Sequence, residues 1–217
     1  MAKENDEKIF QEFNNKFYFI GVTVAPSAIS ESGIAVLDRK LNLIRVDRVF
    51  NINDLQPYIK DIAPLKNMIL CVDLPRNSGM LAGKWRQEAK NTHIFKLNEL
   101  EDSTFDWADR FSDKGSDLCN SLSADGLDIY RYYCYFTKNM LKLTPPYKSR
   151  SPVACKYLQM IIKNNLKISG IPTNLIPLSG LDAIIGAYTG WKIAMTPENT
   201  GYKYIGKHKN SLIVTAI

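Results

Sequence analysis

Short apolar segments separated by polar turns mark the first third of the chain. Residues Phe17–Val24 and Gly33–Leu37 are nearly continuous apolar runs, and Leu43–Phe50 alternates apolar with charged residues. Such runs and such alternation are typical of β-strands. Because short turns join the three segments, the pattern predicts an antiparallel meander.

The next apolar segment, Met68–Asp73, is apolar up to its last residue and is followed closely by Pro75. A short continuous run of this kind indicates a strand that is buried on both faces of a sheet. Residues Asn53–Ile62 precede it with helical spacing, and Asn53 is the expected N-cap. Since the order strand, helix, strand requires a crossover, we expect Met68–Asp73 to pair in parallel with Phe17–Val24.

The remainder of the chain predicts further helices and strands around an irregular region. Residues 1–16 are predicted to be a polar tail and 76–115 an irregular insertion, so residues 17–217 form a single domain. The other predicted elements are helices at Ser116–Ser123, Ser151–Asn165 and Ser179–Met195, a strand at Leu127–Tyr133, and a hairpin of Tyr202–Gly206 with Leu212–Ala216. This order predicts an α/β fold with a central mixed sheet of five or more strands and helices on both faces.

Composition narrows the class of protein. No apolar run is long enough to cross a bilayer, and the charged first residues lack the apolar centre of a signal peptide. We therefore expect a cytoplasmic protein with no membrane association. The four cysteines are far apart and the chain has two histidines, which fits neither a zinc site of ordinary spacing nor a histidine-activated nucleophile.

Charge is unevenly distributed along the chain, whose net charge is +6. Residues 1–128 contain 16 basic and 20 acidic residues, whereas residues 129–181 contain eight basic residues and no acidic one. This asymmetry predicts a surface that faces a polyanion such as nucleic acid. Lys148, Arg150 and Lys156 are the predicted nucleic-acid-binding residues, because they flank a helix start whose free N–H groups suit a phosphate. The alternative is a solvated basic surface without a partner.

Two aspartates stand where a sheet protein can place its chemistry. Asp73 ends the buried strand, and ligands of open α/β sheets bind beyond the carboxyl ends of the strands. Asp182 is predicted in the first turn of the last long helix, directly before the small and apolar residues 183–187. Each has a structural alternative. Asp73 can accept a backbone N–H in a turn, and Asp182 can complete a capping box with Ser179.

The order of these segments resembles the ribonuclease-H-like fold and, more narrowly, the uncharacterised family catalogued as domain of unknown function number 429. The matching segments cover most of the chain. They are FIGVTVAP with GIAVLD, then ILCVDLP, GLDIYRY before KSR, LDAIIGAYTG, and GYKYIG with SLIV. The resemblance implies a ribonuclease-H-like mixed sheet flanked by helices.

The resemblance also implies a metal site. In the ribonuclease-H-like enzymes that the chain resembles, acids from the first strand, the fourth strand and a late helix hold divalent metals that activate water at a phosphodiester. On that basis Asp73 and Asp182 would be catalytic and would bind Mg²⁺ or Mn²⁺. The first-strand position falls on or beside Thr23, whose hydroxyl can ligate Mg²⁺ but has no formal charge. No acid occurs between Asp128 and Asp182, so any further acid that the family places there is absent.

Three functional hypotheses follow from the sequence. The first is a divalent-metal-dependent nuclease or phosphodiesterase that uses Asp73 and Asp182. The second is a catalytically silent ribonuclease-H-like module that binds nucleic acid or a protein partner. The third is a small-molecule enzyme on the same fold, with Asp73 as a base, since a fold by itself does not fix a function.

Overall fold

A seven-stranded mixed sheet organises the protein in the computed structural model. The structure describes residues 16–24, 31–73, 117–144, 151–208 and 211–217. The strands in chain order are β1 Tyr18–Thr23, β2 Ser32–Asp38, β3 Leu43–Val49, β4 Met68–Asp73, β5 Asp128–Tyr132, β6 Tyr202–His208 and β7 Ser211–Ala216. Their order across the sheet is β3-β2-β1-β4-β5-β7-β6. This α/β architecture is the predicted one and is compatible with the ribonuclease-H-like fold.

Helices cover both faces of the sheet. They are α1 Leu55–Ile62, α2 at 117–124, α3 Cys134–Met140, α4 Pro152–Asn165 and α5 Leu178–Met195. One hydrophobic cluster contains side chains of α3, α4 and α5 together with Phe19 and Ile69 of the sheet. The other contains side chains of α1 and α2 together with Ile20 and Leu70. Because neighbouring residues of one strand enter different clusters, the central strands are buried on both faces.

The central pair of strands is the parallel pair that the sequence predicts. β1 lies between β2, with which it is antiparallel, and β4, with which it is parallel. Tyr18 is opposite Met68, and Val22 is opposite Val72. β4 then pairs in parallel with β5, and β7 joins β5 in parallel at the other side. The carboxyl ends of β1, β4 and β5 therefore meet at one edge of the sheet.

The helix starts agree with the sequence at one site and differ from it at another. The side chain of Ser151 accepts a hydrogen bond from the backbone N–H of Ala154 at 3.2 Å, so Ser151 caps α4 as predicted. The predicted cap of α1, Asn53, is wrong. A 3₁₀ turn at Ile52–Asp54 precedes α1 and moves the N-cap to Asp54, which makes no side-chain capping bond.

The longest helix, α5, packs directly on the sheet backbone. A Cβ atom added at Gly21 of β1 would lie 1.9 Å from the carbonyl oxygen of Ala183 in α5. Only glycine permits this approach, which holds the first turns of α5 beside the carboxyl end of β1. Among the described residues, no helix combines the length and the apolar character that crossing a membrane requires.

Two parts of the predicted domain organisation lie outside the described residues. They are the insertion at 76–115 and all of the tail at 1–16 except Lys16. The Lys16 ammonium is buried, lies 2.7 Å from an Asp128 carboxylate oxygen and donates to the carbonyl of Lys66 at 2.6 Å. Lys16 therefore joins the amino-terminal ends of β4 and β5, opposite to the edge that holds the aspartates.

Candidate functional site

The three predicted metal ligands lie on the α5 side of the sheet. Side chains alternate along a strand, so Asp73 shares a face with Ile69 and Cys71, which pack in the α5 cluster. Thr23 ends β1 and contacts the start of α5, and Asp182 lies within α5 itself. The two carboxylates therefore do not point to opposite faces of the sheet, which is the first geometric requirement of a shared site.

Asp182 does not cap its helix and instead forms an ion pair. The helix begins at Leu178, and its N-cap Pro177 lies two residues before the predicted cap, Ser179, so Asp182 lies beyond the first turn and the capping-box interpretation is wrong. One carboxylate oxygen of Asp182 lies 2.9 Å from the Nζ of Lys138 in α3. The two side chains are only 4% and 12% exposed, respectively. A buried acid in a helix interior is thus matched by a buried base.

The environment of Lys138 keeps it charged. Burial is the largest influence and lowers the pKa of the ammonium, but the negative charges of Asp182 and Asp73 and the hydrogen bond to Asp182 act in the opposite direction. Together they raise the pKa of Lys138 above its ordinary value. Both carboxylates therefore act on the same ammonium, and Lys138 is a fixed positive charge at this edge of the sheet.

Asp73 contacts the same helix at its first residue. One carboxylate oxygen of Asp73 accepts the backbone N–H of Cys134 at 3.0 Å. This is a hydrogen bond across 61 residues to the start of α3, where a negative charge is favourable. The residues that would form the alternative local turn after Asp73 lie outside the described residues.

Thr23 links the end of β1 to α5. Its hydroxyl donates to the backbone carbonyl of Ser179 at 2.7 Å, and the residue is buried. Ser179 precedes Asp182 by three residues on the same helix. The hydroxyl proton of Thr23 thus helps to position the helix that presents Asp182.

Three residues of this site were absent from the sequence prediction: Tyr132, Cys134 and Lys138. The phenol of Tyr132 donates to the backbone carbonyl of Asp182 at 2.7 Å. Burial, followed by the charge of Asp182, raises the pKa of the Cys134 thiol well above its usual value. No motif marks these residues, because they reach Asp182 from about 50 residues away through the packing of β5 and α3 against α5. The one available signal is that a buried acid needs a basic partner.

Only some of the basic side chains in the segment at 129–181 are exposed at the surface. Arg131 is buried and the Lys138 side chain is only 12% exposed, so two of its eight basic residues face the interior. Lys148 and Arg150 lie outside the described residues. Lys156 is exposed, but its ammonium donates to the backbone carbonyl of Thr173. The other exposed members of the segment are Lys142, Lys163 and Lys167.

The donor atoms of the site, as arranged here, do not fit a two-metal centre. The Asp182 carboxylate is bonded to an ammonium, that of Asp73 accepts a helix N–H, and the Thr23 hydroxyl donates to a carbonyl. Among the described residues, no three or more His, Cys, Asp or Glu side chains form a group that could hold a metal ion. Two divalent metals would require several free oxygen ligands at this edge.

No family model matches the sequence, and no curated protein matches it. The resemblance to the family of domain of unknown function number 429 therefore stays a prediction.

Proposed function

We propose that this chain is a ribonuclease-H-like module that binds nucleic acid and does not cleave it. The ion pair between Lys138 and Asp182 is the main support for the absence of cleavage. The ammonium of Lys138 is bonded to the carboxylate that a catalytic metal would need as a ligand. The pair is buried, so breaking it to admit a metal would leave a charge without its partner in the protein interior.

The basic surface supports the binding half of this proposal. Lys156 and Lys163 lie two turns apart on one face of α4, and both are exposed. No acidic residue occurs from 129 to 181 to offset their charge. Lysine side chains on such a surface release counterions from phosphates, which gives binding that falls steeply with salt.

Salt-dependent binding tests this surface together with Lys148 and Arg150, the two other predicted nucleic-acid-binding residues. Labelled single-stranded and duplex oligonucleotides are titrated with wild-type protein and with a triple variant, Lys148→Gln, Arg150→Gln and Lys156→Gln. We expect the slope of log K against log salt to fall by about 0.7–0.9 for each phosphate contact that is lost. Lys60→Gln is the matched control, because Lys60 is also exposed but pairs with Asp125 on the opposite side of the sheet. The nucleic-acid proposal fails if wild-type protein shows no salt-dependent binding.

A metal-dependent phosphodiesterase is the second candidate function. It is favoured by the placement of Asp73 and Asp182 on one side of the sheet, where both act on Lys138. The same oligonucleotides incubated with Mg²⁺ or Mn²⁺ separate the two functions. We expect them to stay intact. Cleavage by the wild type that Asp73→Asn and Asp182→Asn both abolish would establish the enzyme instead.

A further inference from the structure

A single short helix donates one hydrogen bond to each carboxylate of the site. The backbone N–H of Cys134, the first residue of α3, donates to Asp73, and the Lys138 ammonium one turn later donates to Asp182. Residues four apart lie on the same side of a helix, so α3 contacts both acids at once. This geometry differs from the metal site that the sequence resemblance implies, because a side chain of the protein supplies the positive charge.

We propose that the Lys138 ammonium is a built-in cation that stands in for a divalent metal, and that removing this side chain leaves a cation-binding site at Asp182 and Asp73. This inference goes beyond nucleic-acid binding and does not depend on it.

Charge balance is the first support for the inference. Asp182 is 4% exposed, and an ionised carboxylate buried to this extent is strongly unfavourable without a compensating charge. Lys138 lies 2.9 Å away and supplies that charge. Asp73 adds a second negative charge that also acts on Lys138. Without the ammonium, the buried Asp182 and the partly buried Asp73 would both lie at this edge of the sheet, and binding a cation would relieve their repulsion.

The kind of cation follows from the ligand atoms. The charged ligands are carboxylate oxygens, which hard cations prefer. Mn²⁺ is therefore the probe, because it takes carboxylate oxygen ligands.

Thermal unfolding in EDTA and in MnCl₂ tests the inference on four proteins. These are the wild type, Lys138→Ala, Lys138→Met, and Lys138→Ala combined with Asp182→Asn. Alanine removes the charge and opens space, whereas methionine removes the charge and keeps most of the volume. The double variant also removes the carboxylate charge at the centre of the proposed site.

We expect Lys138→Ala to have a lower Tm than the wild type in EDTA. Saturating Mn²⁺ should raise its Tm by roughly 5 °C, because an ion that binds the native state and not the unfolded state stabilises the native state. The wild type, Lys138→Met and the double variant should not respond to Mn²⁺. If Lys138→Ala does not fold in EDTA, the fraction that refolds from urea is measured by circular dichroism, and Mn²⁺ should increase it.

The inference is overturned if Mn²⁺ neither raises the Tm of Lys138→Ala nor increases its refolding. It is also overturned if Mn²⁺ stabilises the wild type or the double variant to the same extent as Lys138→Ala. Neither result bears on oligonucleotide binding, so failure of this inference is distinguishable from failure of the proposed function.

Discussion

The Nζ of Lys138 lies 2.9 Å from a carboxylate oxygen of Asp182, although 44 residues separate the two in the chain. The contact joins α3 to α5 on one side of the sheet. It also brings together a basic residue of the acid-free segment and the first acid that follows that segment. The run of basic residues predicts a charged surface, but Lys138, one of these residues, forms an internal ion pair instead.

Removing one partner of this pair should destabilise the protein more than removing both. Lys138→Met leaves the Asp182 carboxylate buried and unpaired, and we expect it to lower the free energy of unfolding by about 3–5 kcal/mol. Adding Asp182→Leu should restore much of that loss, because an apolar pair of similar volume needs no compensating charge. Urea unfolding measures both variants.

Lys142→Met is the control for this pair, because Lys142 is exposed and close to Lys138 in sequence. It should change the free energy of unfolding by less than about 0.5 kcal/mol. A double variant that is less stable than Lys138→Met would contradict the account of the pair.

Two glycines of α5 should respond differently to alanine. A Cβ added at Gly186 would lie 2.7 Å from the ring of Tyr132, whereas one at Gly190 would have its nearest neighbours at 3.4 Å. We expect Gly186→Ala to lower the free energy of unfolding by about 1–3 kcal/mol through overpacking. Gly190→Ala should be neutral or stabilising by up to about 1 kcal/mol, because alanine is the better helix former. Equal effects in thermal unfolding would contradict the close contact between α5 and Tyr132.

The thiols should remain unreactive as the pH rises. All four cysteines lie among the described residues, where they are buried and form no disulfide. Burial is the main reason that the pKa values of Cys71, Cys134 and Cys155 are raised. Because a raised pKa leaves less thiolate at a given pH, iodoacetamide should label these three slowly between about pH 7 and 9, where a free thiol of pKa ~8.5 becomes reactive.

Mass spectrometry measures the labelling, with urea-unfolded protein as the control that takes up four labels. Rapid modification of Cys134 in the native protein at pH 8 would show that the thiol beside Asp182 is accessible.

Arg131 should have no part in nucleic-acid binding, although it belongs to the basic segment. It is 2% exposed, and its guanidinium donates to the Sγ of Cys119 at 3.3 Å. Arg131→Met should leave the salt dependence of oligonucleotide binding unchanged, whereas Lys163→Gln, at an exposed position of α4, should reduce it. A reduced slope for Arg131→Met alone would contradict this assignment.

Much of the fold can be predicted from the sequence, because local patterns determine it. The continuous apolar run at Met68–Asp73 identifies a strand buried on both faces, and Ser151 with Pro152 identifies the start of α4. The predicted helix starts differ from the observed ones where a neighbouring residue or turn begins the helix instead. The 3₁₀ turn before α1 displaces Asn53 from the cap, and the N-cap of α5 is Pro177, two residues before the expected cap, Ser179.

The candidate site was predictable only in part. Asp73 and Asp182 stand out because strand ends and helix starts are recognisable along the chain. Lys138 does not, because its partner is fixed by how α3 packs against α5 and not by sequence spacing. Hydrophobic periodicity indicates which side of a helix is buried, but it does not predict which buried charges meet.

Anomalous diffraction from wild-type crystals grown in MnCl₂ tests the central claim most directly. If Lys138 supplies the cation of this site, the anomalous difference map will have no manganese peak between Asp73 and Asp182. The electron density will then place Nζ of Lys138 within hydrogen-bond distance of the Asp182 carboxylate, close to the present 2.9 Å. A manganese peak bound by both carboxylates, with the Lys138 side chain displaced, would contradict the claim and favour a metal-dependent enzyme.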